Sequence, residues 1–186
     1  DTGIDGERVG LNVASLGVDW RSSRARLSAD IGYQNYKLHG TRPSVTLDGA
    51  VAVVPTVPDN STNYAQPWTH SYERDVYSTV RGEYDFSDNV TGWLAAGARK
   101  AHEDNRLAGV TLTNGRTGDG TAYRFDNRRE DTVKTAELGL RGTFRTGSVG
   151  HTVVGAFSYY GKLEKNAYVM DYFNTQPTNI YHPLSH

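Results

Sequence analysis

The chain has 186 residues, a formal net charge of -1 and no cysteine, which excludes a disulfide frame, a thiolate metal site and any general attraction to nucleic acid or anionic lipid. Hydrophobic residues make up 37%, mean hydropathy is -0.61, and the longest unbroken apolar run is residues 50–54. A membrane helix needs about 18 apolar residues, so helical membrane proteins are excluded as well. The opening DTGIDGERVG has neither the basic start nor the apolar core of a signal peptide, as expected of a chain that begins inside a longer protein or has been processed.

The first two predicted strands cover 8–20 and 24–38. In DWRSSRARLSADIGYQNY, Ala25, Leu27, Ala29, Ile31 and Tyr33 alternate with Arg24, Arg26, Ser28, Asp30, Gly32 and Gln34. This is the period of a strand with one apolar and one strongly polar face. The next two cover 70–86 and 90–102. There Val76, Val80, Tyr84 and Phe86 oppose Asp75, Thr79, Arg81, Glu83 and Asp85. The last two cover 128–144 and 151–166. Ala136, Leu138, Leu140 and Phe144 oppose Thr135, Glu137, Arg141 and Thr143, and on the return Val153, Phe157 and Tyr159 oppose Thr152, Ser158, Tyr160 and Lys162. Each pair turns through a short polar stretch (RSSR, SDN, RTGSVG) preceded by an aromatic, Trp20, Phe86 or Phe144, the mark of a β-hairpin.

Between the hairpins lie polar stretches, 38–69, 103–128 and 164–186, expected to be long loops. Connections in compact domains are mostly about 4 to 6 residues. Outer-membrane barrels, by contrast, have short periplasmic turns, long extracellular loops and strands that alternate apolar-out with polar-in. A Lys or Arg facing lipid at mid-bilayer costs about 2 to 4 kcal/mol, which confines charge to the lumen. The aromatics before the turns fall where an interfacial girdle belongs. The expected fold class is all-β: an antiparallel meander of about six long strands, part of a transmembrane β-barrel, with residues 1–186 forming one partial barrel domain. A sheet with one wet face and one core face also alternates. A soluble β-sheet recognition module and a passive porin-type channel are therefore the alternatives.

No motif points to catalysis. DTG at 1–3 is followed by Ile4 where an aspartic protease needs Ser or Thr, and no second copy supplies the paired carboxylate. GRTGDGT at 115–121 lacks the Gly-Lys-Ser/Thr ending of a phosphate loop and reads as a flexible loop tip. NST at Asn60 and NVT at Asn89 match the glycosylation acceptor, which carries little meaning in a bacterial chain. Of the six histidines, at 39, 70, 102, 151, 182 and 186, none shares a face at ligand spacing except the terminal pair around a proline, so no metal site is expected.

The stretches GVDWRSSRARLSADIGYQ, PDNSTNYAQPWTHSYERDVYSTVRGEYDFSDNVTGWLAAGARK, DTVKTAELGLRGTFRTGSVGHTVVGAFSYY and NAYVMDYFNTQPTNIYHP resemble, in order, consecutive pieces of a TonB-dependent siderophore receptor. The resemblance runs over nearly the whole chain and draws its specificity from length and order, not from a catalytic signature. It implies a ferric-siderophore transporter of the bacterial outer membrane, without enzymatic activity or a cofactor of its own, iron arriving as the chelated ligand. Its implied partners are the ferric siderophore, the lipid bilayer and the TonB energy-coupling complex, with no nucleic acid. The family's 22-stranded barrel, plug and energy-coupling box are not covered by six strands, so the chain reads as an internal segment. Siderophores are bound by large aromatic side chains in this family. The expected ligand-binding residues are therefore Tyr36, Tyr77 and Tyr160, on the polar phase toward the long loops, and Tyr64, Trp68 and Tyr123 within those loops. Trp93, polar in phase but near the periplasmic end, is expected to contact the plug.

Overall fold

A computed structural model describes residues 2–185. The chain forms one sheet of seven strands: β1 (Arg8–Arg21), β2 (Ala25–His39), β3 (Val45–Leu47), β4 (His70–Ser87), β5 (Val90–Leu112), β6 (Asp119–Thr146) and β7 (Val149–Asn179). Apart from β3, spatial order follows chain order and every neighbouring pair is antiparallel. The expected meander is thus present, with a short seventh strand added: β3 pairs in parallel with the far end of β5, Val45 opposite Val110 and Leu47 opposite Leu112.

The register fixes the two faces. Leu27, Gly82, Leu94, Leu138 and Phe157 lie at one level across five strands, and Ala29, Val80, Ala96, Ala136 and Tyr159 at the next. Offset by one residue, Ser28, Arg81, Ala95, Glu137 and Ser158 form a level on the opposite face. We call the face of Arg26, Asp30, Arg81, Glu83, Glu137 and Arg141 inner, and that of Leu27, Ile31, Val80, Leu138, Leu140 and Phe157 outer. Among the described residues no second layer covers the apolar band of the outer face: Leu16, Leu94 and Phe157 are 64%, 62% and 67% exposed. A recognition module would bury this face against a core, whereas a barrel wall presents it to lipid.

The hairpin turns gather at one end, with Trp20, Phe86 and Phe144 beside them. The Ser22 hydroxyl accepts from Ala25 N–H (3.0 Å) in the first turn. Gly147 takes a positive φ of 61° in the last, the conformation that a two-residue hairpin with glycine first requires. At the opposite end, which we call the mouth, the strands run well past the expected limits. Segments 103–112, 119–128 and 164–179, expected as loop, continue β5, β6 and β7. The turn between β5 and β6 is tight and not a flexible tip. Asn114 Oδ1 accepts from Arg116 and Thr117 N–H, and Asn179 Nδ2 donates to Thr117 O and Asp119 Oδ1. The Thr117 hydroxyl and then the Asn179 amide hold the Asp119 carboxyl below its ordinary range.

The continuation was hidden because the two faces exchange chemistry. Above the apolar band the outer face of β6 reads Arg128, Asp126, Arg124, while its inner face reads Asn127, Phe125, Tyr123. The exchange needs no register slip. The two register shifts lie elsewhere, at 85/87 near a turn and at 122/124 at the far end of the mouth. An outer face that extends beyond a bilayer no longer has to be apolar. Buried hydrophobics among the described residues are confined to the outer side of this extension: Ala108, Val110, Leu112, Ala122 and Ile180, with Val45, Tyr64, Trp68 and Tyr181 packed against them.

Candidate functional site: the inner face at the mouth

From the turns upward, the inner face is a ladder of ion pairs. Arg26 bridges Glu83 (3.0 Å) and Asp85 (2.6 Å), Arg81 reaches Glu83 (2.9 Å) and Glu137 (3.6 Å), and Arg99 meets Asp75 (2.6 Å). Nearer the mouth, Arg129 bridges Glu103 (2.5 Å) and Asp131 (3.6 Å), and Lys162 pairs with Glu164. These cross-strand pairs satisfy charges on a wetted wall and fix the rotamers of long side chains.

Above the level of Glu73, Glu103 and Arg129 the charges give way to three uncharged levels. The next levels hold Leu38, Ser71, Asn105, Asn127 and Tyr168, then Leu107, Phe125 and Met170, then Gly109 and Tyr123. On β1 the same face carries Leu11 and Val9. The aromatic rings meet in pairs: Tyr123 with Tyr172 at 4.7 Å and Phe125 with Tyr168 at 6.4 Å between centroids. The Tyr172 hydroxyl donates to Met170 Sδ (2.8 Å), and Asn127 Nδ2 donates to Asn166 Oδ1 (2.6 Å). Burial, and after it the Tyr172 phenol, pushes the Tyr123 phenol up. This tier is an uncharged, aromatic wall that offers phenol, amide and thioether groups to a bulky, partly polar ligand. Among the described residues no three His, Asp or Glu side chains converge as a metal site.

The six expected residues divide between the faces. Tyr36, Tyr77, Tyr123 and Tyr160 lie on the inner face, opposite Glu73, Gly32, Gly109 and Thr135. Only Tyr123 belongs to the aromatic cluster. Tyr36 stands at the top of the charged ladder, and Tyr77 and Tyr160 within it. Tyr64 and Trp68 pack in the outer lobe, and Trp68 covers the Arg124 guanidinium at 6.0 Å. Loop residues carry no periodicity, so their face is not readable from sequence. Trp93, expected against a plug, already has partners: its ring covers Gly139 and its indole N–H donates to Glu137 (2.6 Å). Phe125, Tyr168, Met170 and Tyr172 were missed. Their signal was present as a period of two in YRFDN and YVMDY, masked by the charges on the alternate positions.

No protein-family model matches the chain. It is 32% identical over 183 residues to the ferrichrome receptor FcuA of Yersinia enterocolitica, covering 98% of this chain and 24% of that receptor. In structure it is similar to BauA, the ferric preacinetobactin receptor of Acinetobacter baumannii, with 28% identity and a TM-score of 0.91 over 99% of this chain and 28% of that one. The ferric-catecholate import receptor Fiu of E. coli K12 shares the fold at 19% identity and a TM-score of 0.78, over 99% of this chain and 31% of that one. The chain thus spans about a quarter to a third of the proteins it matches. In sequence and fold it is therefore similar to part of each of these siderophore receptors.

Proposed function

We propose that the chain is a wall segment of an outer-membrane siderophore receptor, in which the aromatic tier at the mouth forms part of the first binding surface for a ferric siderophore. The observation that supports this most is the uncharged inner tier of Tyr123, Phe125, Tyr168, Met170 and Tyr172, raised above an ion-paired ladder at the end away from the turns. A ferric chelate presents carbon-rich arms around a metal already saturated by oxygen. Ring faces and phenol hydroxyls hold such an object without competing for the iron. The charged ladder below offers a wetted path inward. Transport itself belongs to the complete receptor, where TonB coupling would act through sequence outside these residues, and the remaining expected residues, Tyr36, Tyr77 and Tyr160, would meet the chelate after the mouth tier.

The test is quenching of intrinsic fluorescence by ferric siderophores on the purified complete receptor. Each aromatic contact is worth about 0.5 to 1.5 kcal/mol, so Tyr123→Ala with Tyr172→Ala is expected to weaken binding by about 5-fold to 150-fold, while Trp68→Ala leaves it within about twofold. Unchanged affinity in the double variant would remove the mouth tier from the binding surface.

A further inference from the structure

The ion-paired ladder does not balance at its upper end. Directly beneath the uncharged tier, β4 to β7 turn Glu73, Asp75, Glu103, Asp131 and Glu164 inward, against the cations Arg99, Arg129 and Lys162. Glu73 directly faces Glu103, and Asp131 directly faces Glu164, an arrangement in which like charges on neighbouring strands repel. Arg99 pairs with Asp75, Arg129 with Glu103 and Lys162 with Glu164. Glu73 makes no ion pair or side-chain hydrogen bond among the described residues. Asp131 is 7% exposed and its Oδ1 accepts no hydrogen bond, with Arg129 and Lys162 standing 3.6 and 3.8 Å from its oxygens. A buried carboxylate oxygen without a donor is costly. A cavity of about 30 Å³ is lined by Glu73, Asp75, Glu103 and Asp131, with Arg99, Arg129 and residues 101–102 completing it. It has room for a group the size of a water or an ammonium.

We propose that these carboxylates receive a pendant ammonium of the ferric siderophore, so that the receptor takes chelates carrying a free amine and disfavours anionic ones. The inference deepens the function proposed above and rests on it. Arg129, at the top of the carboxylate set, lies four residues from Phe125 on β6, roughly 13 Å along the strand, so a chelate seated on the rings can hang a flexible arm over the set. An ammonium brings three donors and one positive charge, which suits the unpaired Glu73, the open Asp131 oxygen and the surplus of negative charge. An anionic chelate meets that surplus as repulsion, because each cation of the set already has a carboxylate. A bare metal ion is a poorer occupant, since no three acidic or histidine side chains converge on one point among the described residues.

The experiment measures fluorescence quenching of the complete receptor by ferric desferrioxamine B, a linear trihydroxamate complex with a terminal ammonium, and by its N-acetyl and N-succinyl forms. The three share one iron shell and end in a cation, a neutral group and an anion. The ammonium form is expected to bind about tenfold tighter than the acetyl form, and the succinyl form weaker still. Glu73→Gln with Asp131→Asn is expected to bring the three within about twofold, while Glu130→Gln on the outer face keeps the order. The acetyl form, bound alike by both receptors, reports that the double variant is folded. Glu73→Gln alone, at an exposed and unpaired side chain, repeats the test if Asp131 proves necessary for folding and is expected to shrink the preference. Failure of the ammonium form to bind overturns the proposal, as does a preference that survives these variants. Equal affinity for all three forms in the unaltered receptor also overturns it and assigns the carboxylates to a cation elsewhere in the receptor. That result leaves the aromatic tier in place, which Tyr123→Ala with Tyr172→Ala tests separately by weakening all three forms alike.

Discussion

Glycine inside a strand removes side-chain packing and leaves the backbone bare, yet three inner-face glycines here are covered by a ring from the neighbouring strand. Tyr77 lies over Gly32, Trp93 over Gly139 and Tyr123 over Gly109, so closely that a Cβ at any of them would fall within the ring. Each pair trades a missing side chain for a flat aromatic one, which pins its register. Tyr77 and Trp93 therefore hold the wall whatever they also touch. Gly32→Ala is expected to displace the Tyr77 ring and destabilise the receptor by about 1 to 3 kcal/mol. Gly142→Ala, with nothing within 4 Å of its Cβ, should stay within about 0.5 kcal/mol. Denaturant unfolding in detergent compares the two, and equal costs would dismiss the ring contact as incidental.

At the scale of the strand, the outer and inner positions of one hairpin answer to different solvents. Leu138 on β6 lies at mid-band on the outer face, and Ser158 on β7 faces inward opposite Glu137. Leu138→Arg is expected to cost about 2 to 4 kcal/mol in a bilayer, and Ser158→Arg much less, because water and Glu137 receive the guanidinium. The folded fraction after insertion into lipid vesicles, read by gel mobility, checks the pair, and equal loss would show that these faces are not lipid and lumen. The hairpins themselves were legible, since Leu138, Leu140 and Phe144 keep strict phase up to a turn whose glycine only one geometry accommodates. The mouth ends of β5, β6 and β7 were not. At Asp104 and Arg106, or at Arg124, Asp126 and Arg128, charge occupies the positions that were apolar lower down, and a strand whose faces trade chemistry looks like a polar loop. Tyr123 was expected within a loop and lies instead on β6, and its neighbours Phe125, Tyr168 and Tyr172 are assembled by a register that no single segment displays.

The whole molecule is an open sheet whose two margins, β1 and β7, pair with a neighbour on one side only among the described residues. Its outer face keeps Leu16, Val18, Leu94 and Phe157 exposed. Unpaired N–H and C=O groups along a 14-residue and a 31-residue strand invite association, and so does the uncovered apolar band. The 186-residue chain alone, in buffer without detergent, is expected to scatter light as an oligomer. A monomer with a cooperative melt would revive the recognition-module reading.

The exchange of face chemistry without a register slip bears on how such a wall is matched to bilayer thickness. On β6 the outer apolar band ends where Lys134 follows Ala136, with no register shift at that point. Swapping those two characters would lower the border by two residues of a tilted strand, about 5 Å of height, with every ladder hydrogen bond intact. An insertion of one residue would instead turn each later side chain to the wrong solvent. Thickness is therefore tuned by substitution, in steps of two residues and strand by strand, and hydrophobic mismatch can be relieved locally without tilting the barrel.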